Sequence, residues 1–264
     1  MLEHDNAPSA TSSLPPRAIT PEQRMDALRQ VNRRVRPLAY LWEWTKLFWI
    51  SVALFLVVRT FVVEAFKIPT GSMENTLLVG DFLLVNKLAY GAEIPFTHRR
   101  LPALRPLRRG DVIVFDWPVD PTKNFVKRLV GLPGDTLEMR EGVLIRNGRT
   151  VTESYVTHTD PELDPSGEEF TWQRDYLVRS AGAAAAGYHP SRNNWGPLVV
   201  PPRHYFVLGD NRDDSLDSRY WGFVPDSLLT GEPLMIYYSY SPDSTQDFDW
   251  LTRVRWQRLG ERVH

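Results

Sequence analysis

The chain has 264 residues, with 31 Lys and Arg against 32 Asp and Glu and a net charge of -1. That near balance provides no global positive field of the kind that attracts nucleic acid, so no nucleic-acid partner is expected. Cysteine is absent, which excludes disulfides, thiolate nucleophiles and cysteine-ligated zinc or iron–sulfur centres, while 42% hydrophobic residues is ordinary for a chain with a sizeable core.

Residues 1–22 are rich in Pro, Ser, Ala and Thr, include Pro8, Pro15, Pro16 and Pro21, and show no apolar periodicity, so a disordered tail is expected there. Thr20-Pro21-Glu22-Gln23 reads as a helix start, with Thr20 as N-cap, Pro21 in the first helical position and Gln23 completing a capping box. A basic helix is expected over 23–46, carrying Arg24, Arg29, Arg33, Arg34 and Arg36. Leu47 to Val63 is apolar all round except for Ser51, Arg59 and Thr60, with Trp42, Trp44 and Trp49 near its start. It is the expected transmembrane anchor with an aromatic belt. The charge-free run from Lys46 to Arg59 is short enough for a buried or interfacial helix as well, and in a bilayer Arg59 has to snorkel or sit at the far headgroups. A cleaved leader is the other reading, but the polar region in front is long and Glu64-Ala65-Phe66-Lys67 offers no small-x-small cleavage site. Arg29, Arg33, Arg34, Arg36 and Lys46 precede the span and Lys67 alone follows at comparable reach, so the N-terminus is expected in the cytoplasm and the chain from Glu64 outside it.

Beyond Glu64 the pattern is mainly β. Strands are expected at Phe82–Val85, Val112–Phe115, Phe125–Val130, Tyr205–Leu208 and Leu234–Tyr240, and Asn147-Gly148 between Val143–Arg146 and Arg149–Val151 is a two-residue hairpin signal. From 136 to 202 the composition turns polar, with the acidic stretch Asp160–Glu169 and the small-residue run Ala181–Gly187. An inserted second β subdomain is expected there, interrupting a β domain made of 64–135 and 203–264.

Ser72 lies in Ile68-Pro69-Thr70-Gly71-Ser72-Met73, a few residues past the apolar segment. A serine hydroxyl becomes a nucleophile only with a base beside it. None of the six histidines falls in a recognisable motif; a lysine can serve if burial lowers its pKa. In Phe125-Val126-Lys127-Arg128-Leu129-Val130, alternation puts Lys127 on one face with Phe125 and Leu129, and Val126 and Arg128 on the other. Taken singly, Ser72 also reads as a turn residue and Lys127 as a solvent-facing charge. Gly209-Asp210-Asn211-Arg212-Asp213-Asp214-Ser215-Leu216-Asp217-Ser218-Arg219-Tyr220-Trp221-Gly222 follows an apolar strand and is dense in polar residues, which suits either a solvated loop or a network that fixes a buried ammonium.

These motifs, with Arg109-Gly110-Asp111-Val112-Ile113-Val114-Phe115 and Lys127 through Asp135, give the chain from the apolar segment onward a resemblance to bacterial type I signal peptidases, membrane-anchored serine proteases that remove signal peptides from exported preproteins. The resemblance implies a mainly β fold, with a catalytic β domain interrupted by a second subdomain and preceded by one transmembrane helix. It implies Ser72 as nucleophile and Lys127 as general base. It further implies an oxyanion hole from the Ser72 N–H and the Thr70 hydroxyl, donors worth about 3–4 kcal/mol in the barrier. Ser215 matches the hydroxyl that orients the lysine, Asp217 and Arg219 a supporting pair, and Arg128 pairs with Asp210. Phe66, Ile68, Pro69, Phe125 and Val126 match the shallow pockets that admit small side chains at the first and third positions before the cut, with the peptide laid on as a strand. The implied partners are signal-peptide-bearing preproteins and the phospholipid bilayer, the implied location is the bacterial inner membrane with an extracytoplasmic catalytic domain, and no metal or cofactor is expected.

Two positions depart from the family pattern: Asn75 stands where many relatives carry Pro, and Asp214 where Asn is also common. Competing readings are a soluble, self-cleaving Ser-Lys protease, disfavoured by the apolar segment, and an inactive membrane-tethered scaffold, disfavoured by the intact Ser72, Lys127 and Ser215. A penicillin-recognising enzyme needs lysine three residues after the serine, and Asn75 occupies that place.

Overall fold

A computed structural model describes residues 19–94, 97, 99–178, 187–242 and 248–264, without the side chains of 31–39 and 249. The expected tail over 1–18, His98 and the small-residue run at 181–186 lie outside the described residues, as do the side chains of Arg33, Arg34 and Arg36. The chain divides into two compact units, Met1–Leu56 and Val57–His264.

The first unit is built on one helix, α1 (Pro21–Val57). Its start is the capping box read from the sequence: the Gln23 N–H donates to Thr20 Oγ1 at 3.4 Å and the Thr20 N–H to Gln23 Oε1 at 3.2 Å. The basic stretch and the apolar stretch thus belong to a single helix. A π-helical turn over Val58–Val62 follows it. The stretch long and apolar enough to cross a membrane is Tyr40–Val62, 23 residues. It begins upstream of the expected limit at Leu47, and Val63 already belongs to the first strand. Lys46, the charge that sets that limit, forms an i,i+3 ion pair with Glu43 at 2.8 Å on the helix surface. Trp42, Trp44, Phe48, Trp49, Ile50, Leu54 and Phe55 are all exposed to 60% or more. Such an apolar surface around a helix suits a lipid surrounding rather than water.

In the second unit the strands are β1 (Val63–Lys67), β2 (Asp81–Asn86), β3 (Glu93–Ile94), β4 (Arg99–Arg100), β5 (Val112–Trp117), β6 (Asp120–Gly131), β7 (Thr136–Arg140), β8 (Val143–Arg146), β9 (Arg149–Thr150), β10 (Trp195–Val199), β11 (His204–Leu208), β12 (Val224–Pro225) and β13 (Leu229–Ser239). Seven form one antiparallel sheet in the order β1-β2-β13-β5-β6-β11-β12. A second sheet, β10-β7-β8-β9, arises from residues 136–199, and β3 pairs with β4. The β8–β9 hairpin closes on Asn147 and Gly148, both at positive φ (53° and 74°), as the dipeptide predicts. All five strands expected from the sequence are present. β13 starts five residues before the expected Leu234, because its register shifts at Gly231 and again after Pro233 let both residues sit in a strand that their propensities argue against.

Two features of the large sheet position the site. Among the described residues β1 is an edge strand, hydrogen-bonded to β2 alone. β6 is long, and only its last third, Arg128–Gly131, pairs with β11, so among the described residues the part before it is paired with β5 alone. Behind β1 lies a cluster of Ile68, Met73, Leu77, Leu83, Val85, Val112, Val114 and Ile236, against which Phe66, Val126 and Val263 pack. Met73 and Leu77 are 1% and 0% exposed, and burying side chains of that size contributes about 1.5–3 kcal/mol each. They pin the segment that carries Ser72 to the sheet.

Candidate active site

Chain leaving β1 turns at Ile68–Leu77, closed by the Glu74 N–H to the Gly71 carbonyl at 2.9 Å and the Leu77 N–H to the Met73 carbonyl at 2.7 Å. Asn75 sits in this turn at φ 80°, a left-handed conformation that Asn tolerates and that a proline ring, fixed near -65°, cannot adopt. Asn75 thus gives the chain after Ser72 a turn that is closed to proline at this position. Asn75 Nδ2 donates to the Tyr155 carbonyl at 3.3 Å.

The turn brings Ser72 to β6, where Lys127 Nζ donates to Ser72 Oγ at 2.6 Å. Both side chains are buried, at 8% and 4% exposure. Lys127 Nζ lies 5.4 Å from the centroid of the Phe125 ring. Burial lowers the Lys127 ammonium to about 8; Asp217, Asp210 and Asp214 pull it back up, and Arg219 adds to the lowering. Desolvation wins because, among the described residues, no carboxylate makes an ion pair with the amine. Thr70 Oγ1 faces Ser72 Oγ at 3.5 Å.

Behind Lys127, Arg128 makes a bidentate ion pair with Asp210, Nε to Oδ1 at 2.7 Å and Nη2 to Oδ2 at 2.6 Å, with both side chains buried. Arg128 also donates to the Gly110 carbonyl at 2.8 Å, Thr76 Oγ1 at 3.1 Å and the His264 carbonyl at 3.1 Å, and Thr76 Oγ1 donates to Asp210 Oδ2 at 2.5 Å. The turn of Ser72 and the strand of Lys127 are thereby tied to one carboxylate. The loop after β11 closes the other side, its Asn211 N–H donating to the Ser72 carbonyl at 3.2 Å. At the end of that strand Gly209 packs so closely that a Cβ there would collide with the Ser215 hydroxyl and come within 2.5 Å of the Ser72 carbonyl oxygen. Only glycine fits.

Asp217 and Arg219 form a fully buried bidentate pair, Nε to Oδ1 at 2.8 Å and Nη2 to Oδ2 at 2.7 Å. Asp217 also takes the Gly209 N–H at 3.1 Å and caps the short helix α2 (Ser218–Trp221) by accepting from the Arg219 N–H. Burial alone would raise the Asp217 carboxyl; the Arg219 charge and these hydrogen bonds more than offset it and hold the carboxyl below its ordinary range. Ser215 Oγ is buried beside Gly209 and close to the Asp217 carboxylate, and among the described residues it makes no hydrogen bond to Lys127, whose Nζ is turned to Ser72 instead.

A cleft of about 280 Å³ opens on Ser72 and Lys127, lined by Phe66, Lys67, Ile68, Pro69, Thr70, Met73, Asn124, Phe125, Val126, Asp214 and Leu216. All five residues expected to line a substrate pocket are among them. Asn124, Leu216 and Lys67 were not anticipated, and neither were Thr76, Glu153 and Tyr155 behind the site; none carries a local signal, because each acts through a contact distant in sequence. Among the described residues no cluster of three or more His, Asp or Glu side chains could hold a metal ion.

A protein-family model described as signal peptidase, peptidase S26, matches residues 41–238. A signal peptidase I of Pseudomonas aeruginosa is 38% identical over 225 residues, covering 80% of this chain and 78% of that protein. One of Pseudomonas fluorescens is 37% identical over 223 residues, with 80% and 78% covered. One of Aquifex aeolicus is 36% identical over 242 residues, with 80% and 90% covered.

Proposed function

The chain belongs to the S26 family of signal peptidases, and from that premise we propose that it removes signal peptides from exported preproteins by means of Ser72 and Lys127, cutting after small side chains. The observation that carries this reading is the 2.6 Å contact between a buried Lys127 amine and the Ser72 hydroxyl at the floor of an apolar cleft.

In this mechanism the neutral Lys127 amine takes the proton of Ser72 as its Oγ attacks the scissile carbonyl carbon. The negative charge that develops on the carbonyl oxygen is met by the Ser72 N–H and the Thr70 hydroxyl, which act only once the carbon becomes tetrahedral. Lys127, now an ammonium, returns the proton to the departing amine, and the peptide bond breaks to leave the signal peptide esterified to Ser72. A water molecule deprotonated by Lys127 then hydrolyses the ester. Ser215 is assigned to hold the amine between these steps. Asp217–Arg219 and Arg128–Asp210 keep the loop and strand in place.

The cleft supports the specificity. Phe66, Ile68, Pro69, Phe125 and Val126 form its walls, and the free edge of β1 and the singly paired part of β6 offer backbone groups to an extended peptide. Side chains at alternate positions, the first and third before the cut, then point at bulky walls that leave room for little more than a methyl group. The membrane is proposed as the site of action, with Tyr40–Val62 crossing it and the arginine-rich N-terminal stretch on the cytoplasmic side. A short link from the span to Ser72 would keep the nucleophile at the bilayer surface, where the end of a signal peptide emerges.

The pH dependence tests the base. Lys127 must be neutral to accept the proton, so kcat/KM for precursor cleavage is expected to rise through an apparent pKa of about 8 and level off above it. A rise centred near 10.5, or activity flat from mildly acidic to alkaline pH, would rule lysine out as the base.

A further inference from the structure

The segment that follows β9 lies behind the site, and one residue of it reaches all three pieces that carry the chemistry. The Tyr155 ring stacks on the Arg128 guanidinium at 3.8 Å from the ring centroid. The Tyr155 carbonyl accepts from Asn75 Nδ2 at 3.3 Å, in the turn that carries Ser72. The Tyr155 hydroxyl donates to Glu153 Oε1 at 2.7 Å, and the same oxygen takes Arg212 Nη2 at 2.7 Å, while Arg212 Nε donates to the Gly209 carbonyl at 3.2 Å. Two residues on, the Thr157 N–H donates to the Asp210 carbonyl at 2.9 Å and the Arg212 N–H to the Thr157 carbonyl at 3.0 Å, so the segment is laid against the loop as a short parallel bridge.

We infer that Tyr155 is a positioning residue for peptide cleavage: its ring holds Arg128 against Asp210 and so keeps Lys127 and the turn of Ser72 in register, while its main-chain carbonyl and its hydroxyl lay the segment against the site. The inference rests on the Ser72–Lys127 reading above. It gives the segment after β9 a part in the reaction that none of the sequence motifs contains. The physical basis is the stack. An aromatic face over a buried, paired guanidinium keeps water from the ion pair and fixes the plane of the fork, so that Arg128 meets Asp210 through two nitrogens at once. Arg128 is the neighbour of Lys127 on β6 and bonds Thr76 in the turn of Ser72, so a tilt of its plane is transmitted to both ends of the 2.6 Å contact.

The test is steady-state cleavage of a signal-peptide-bearing precursor by the full-length chain in detergent, with wild type, Tyr155→Ala, Tyr155→Phe and Ser72→Ala compared at a temperature where thermal melts show each to be folded. Tyr155→Ala is expected to lower kcat about 10- to 100-fold, the range that a misplacement of the order of 1 Å costs, with KM within about twofold. Tyr155→Phe, which keeps the ring and loses only the hydroxyl bond to Glu153, is expected to recover kcat to within about threefold of wild type, since Arg212 still holds Glu153. Should Tyr155→Ala fail to fold, Tyr155→Leu, which keeps bulk without an aromatic face, takes its place with the same expectation. Wild-type kcat in the variant without the ring, a loss confined to KM, or a Phe variant as impaired as Ala would each overturn the inference while the inert Ser72→Ala left the Ser-Lys reading standing. Cleavage by Ser72→Ala would overturn both.

Discussion

Lys127→Met is expected to lower kcat for precursor cleavage by more than about 10⁴-fold, as loss of a nucleophile's base does in other serine proteases, and at the same time to stabilise the fold at neutral pH. The two effects have one cause. A lysine that ionises at 10.5 in the unfolded chain and at about 8 when folded is charged in both states below pH 8, where burial of the ammonium costs stability in full. Between 8 and 10.5 the unfolded chain binds more protons, so wild-type stability rises with pH across that window. Methionine has similar bulk and no charge, so the variant should melt at a higher temperature than wild type at pH 7 and show no such rise. Denaturant melts at pH 7 and pH 10, run beside the cleavage assay, check both halves. A variant that still cleaves would remove Lys127 from the mechanism, and one markedly less stable at pH 7 would mean that the amine is not held there against its own desolvation.

Arg219→Met is expected to destabilise the protein by about 3–5 kcal/mol at pH 7, because it leaves the Asp217 carboxylate buried without its partner. Both members of the pair are 0% exposed, and Asp217 also holds the Gly209 N–H beside Ser215. The sign of the pH dependence follows from the lowered Asp217 carboxyl: its contribution is present in full above the unfolded value near 4 and is lost as pH falls through the folded one. The gap between variant and wild type should therefore narrow in acid. Urea melts at pH 7 and pH 3 measure it, and a loss under about 1 kcal/mol at pH 7 would show the pair to be dispensable to the fold.

Much of the site was legible from local chemistry. The capping box at Thr20 and Gln23, the hairpin at Asn147-Gly148 and the lysine on an apolar strand face are signals carried by neighbours in sequence, and the structure has all three. The five expected wall residues line the cleft, Phe66 at the end of β1, Ile68 and Pro69 in the turn that follows it, and Phe125 and Val126 in the part of β6 next to Lys127. What stayed hidden depends on contacts far apart in the chain. Tyr155 carries no local signal and matters because folding brings its ring 3.8 Å from Arg128, and Thr76 because it meets Asp210 across 134 residues. The early start of β13 was concealed by Gly231 and Pro233, tolerated at register shifts that no local rule locates. The stretch long and apolar enough to span starts at Tyr40, upstream of the charge-free run that begins after Lys46, and Lys46 is ion-paired with Glu43 on the helix surface. The left-handed Asn75 belongs to both groups: its presence signalled a departure, but only the backbone gives the direction of the turn.

The central claim is tested most directly by incubating the purified full-length protein, in detergent or lipid, with a precursor that carries a signal peptide, and sequencing the N-terminus of whatever mature product is released. Wild type should cut once, after a residue with a small side chain that has another small one two positions before it, and Ser72→Ala, equally folded, should release nothing above background. Undiminished release by Ser72→Ala, or cutting by wild type after large side chains, would contradict the assignment of Ser72 and of the cleft beside it.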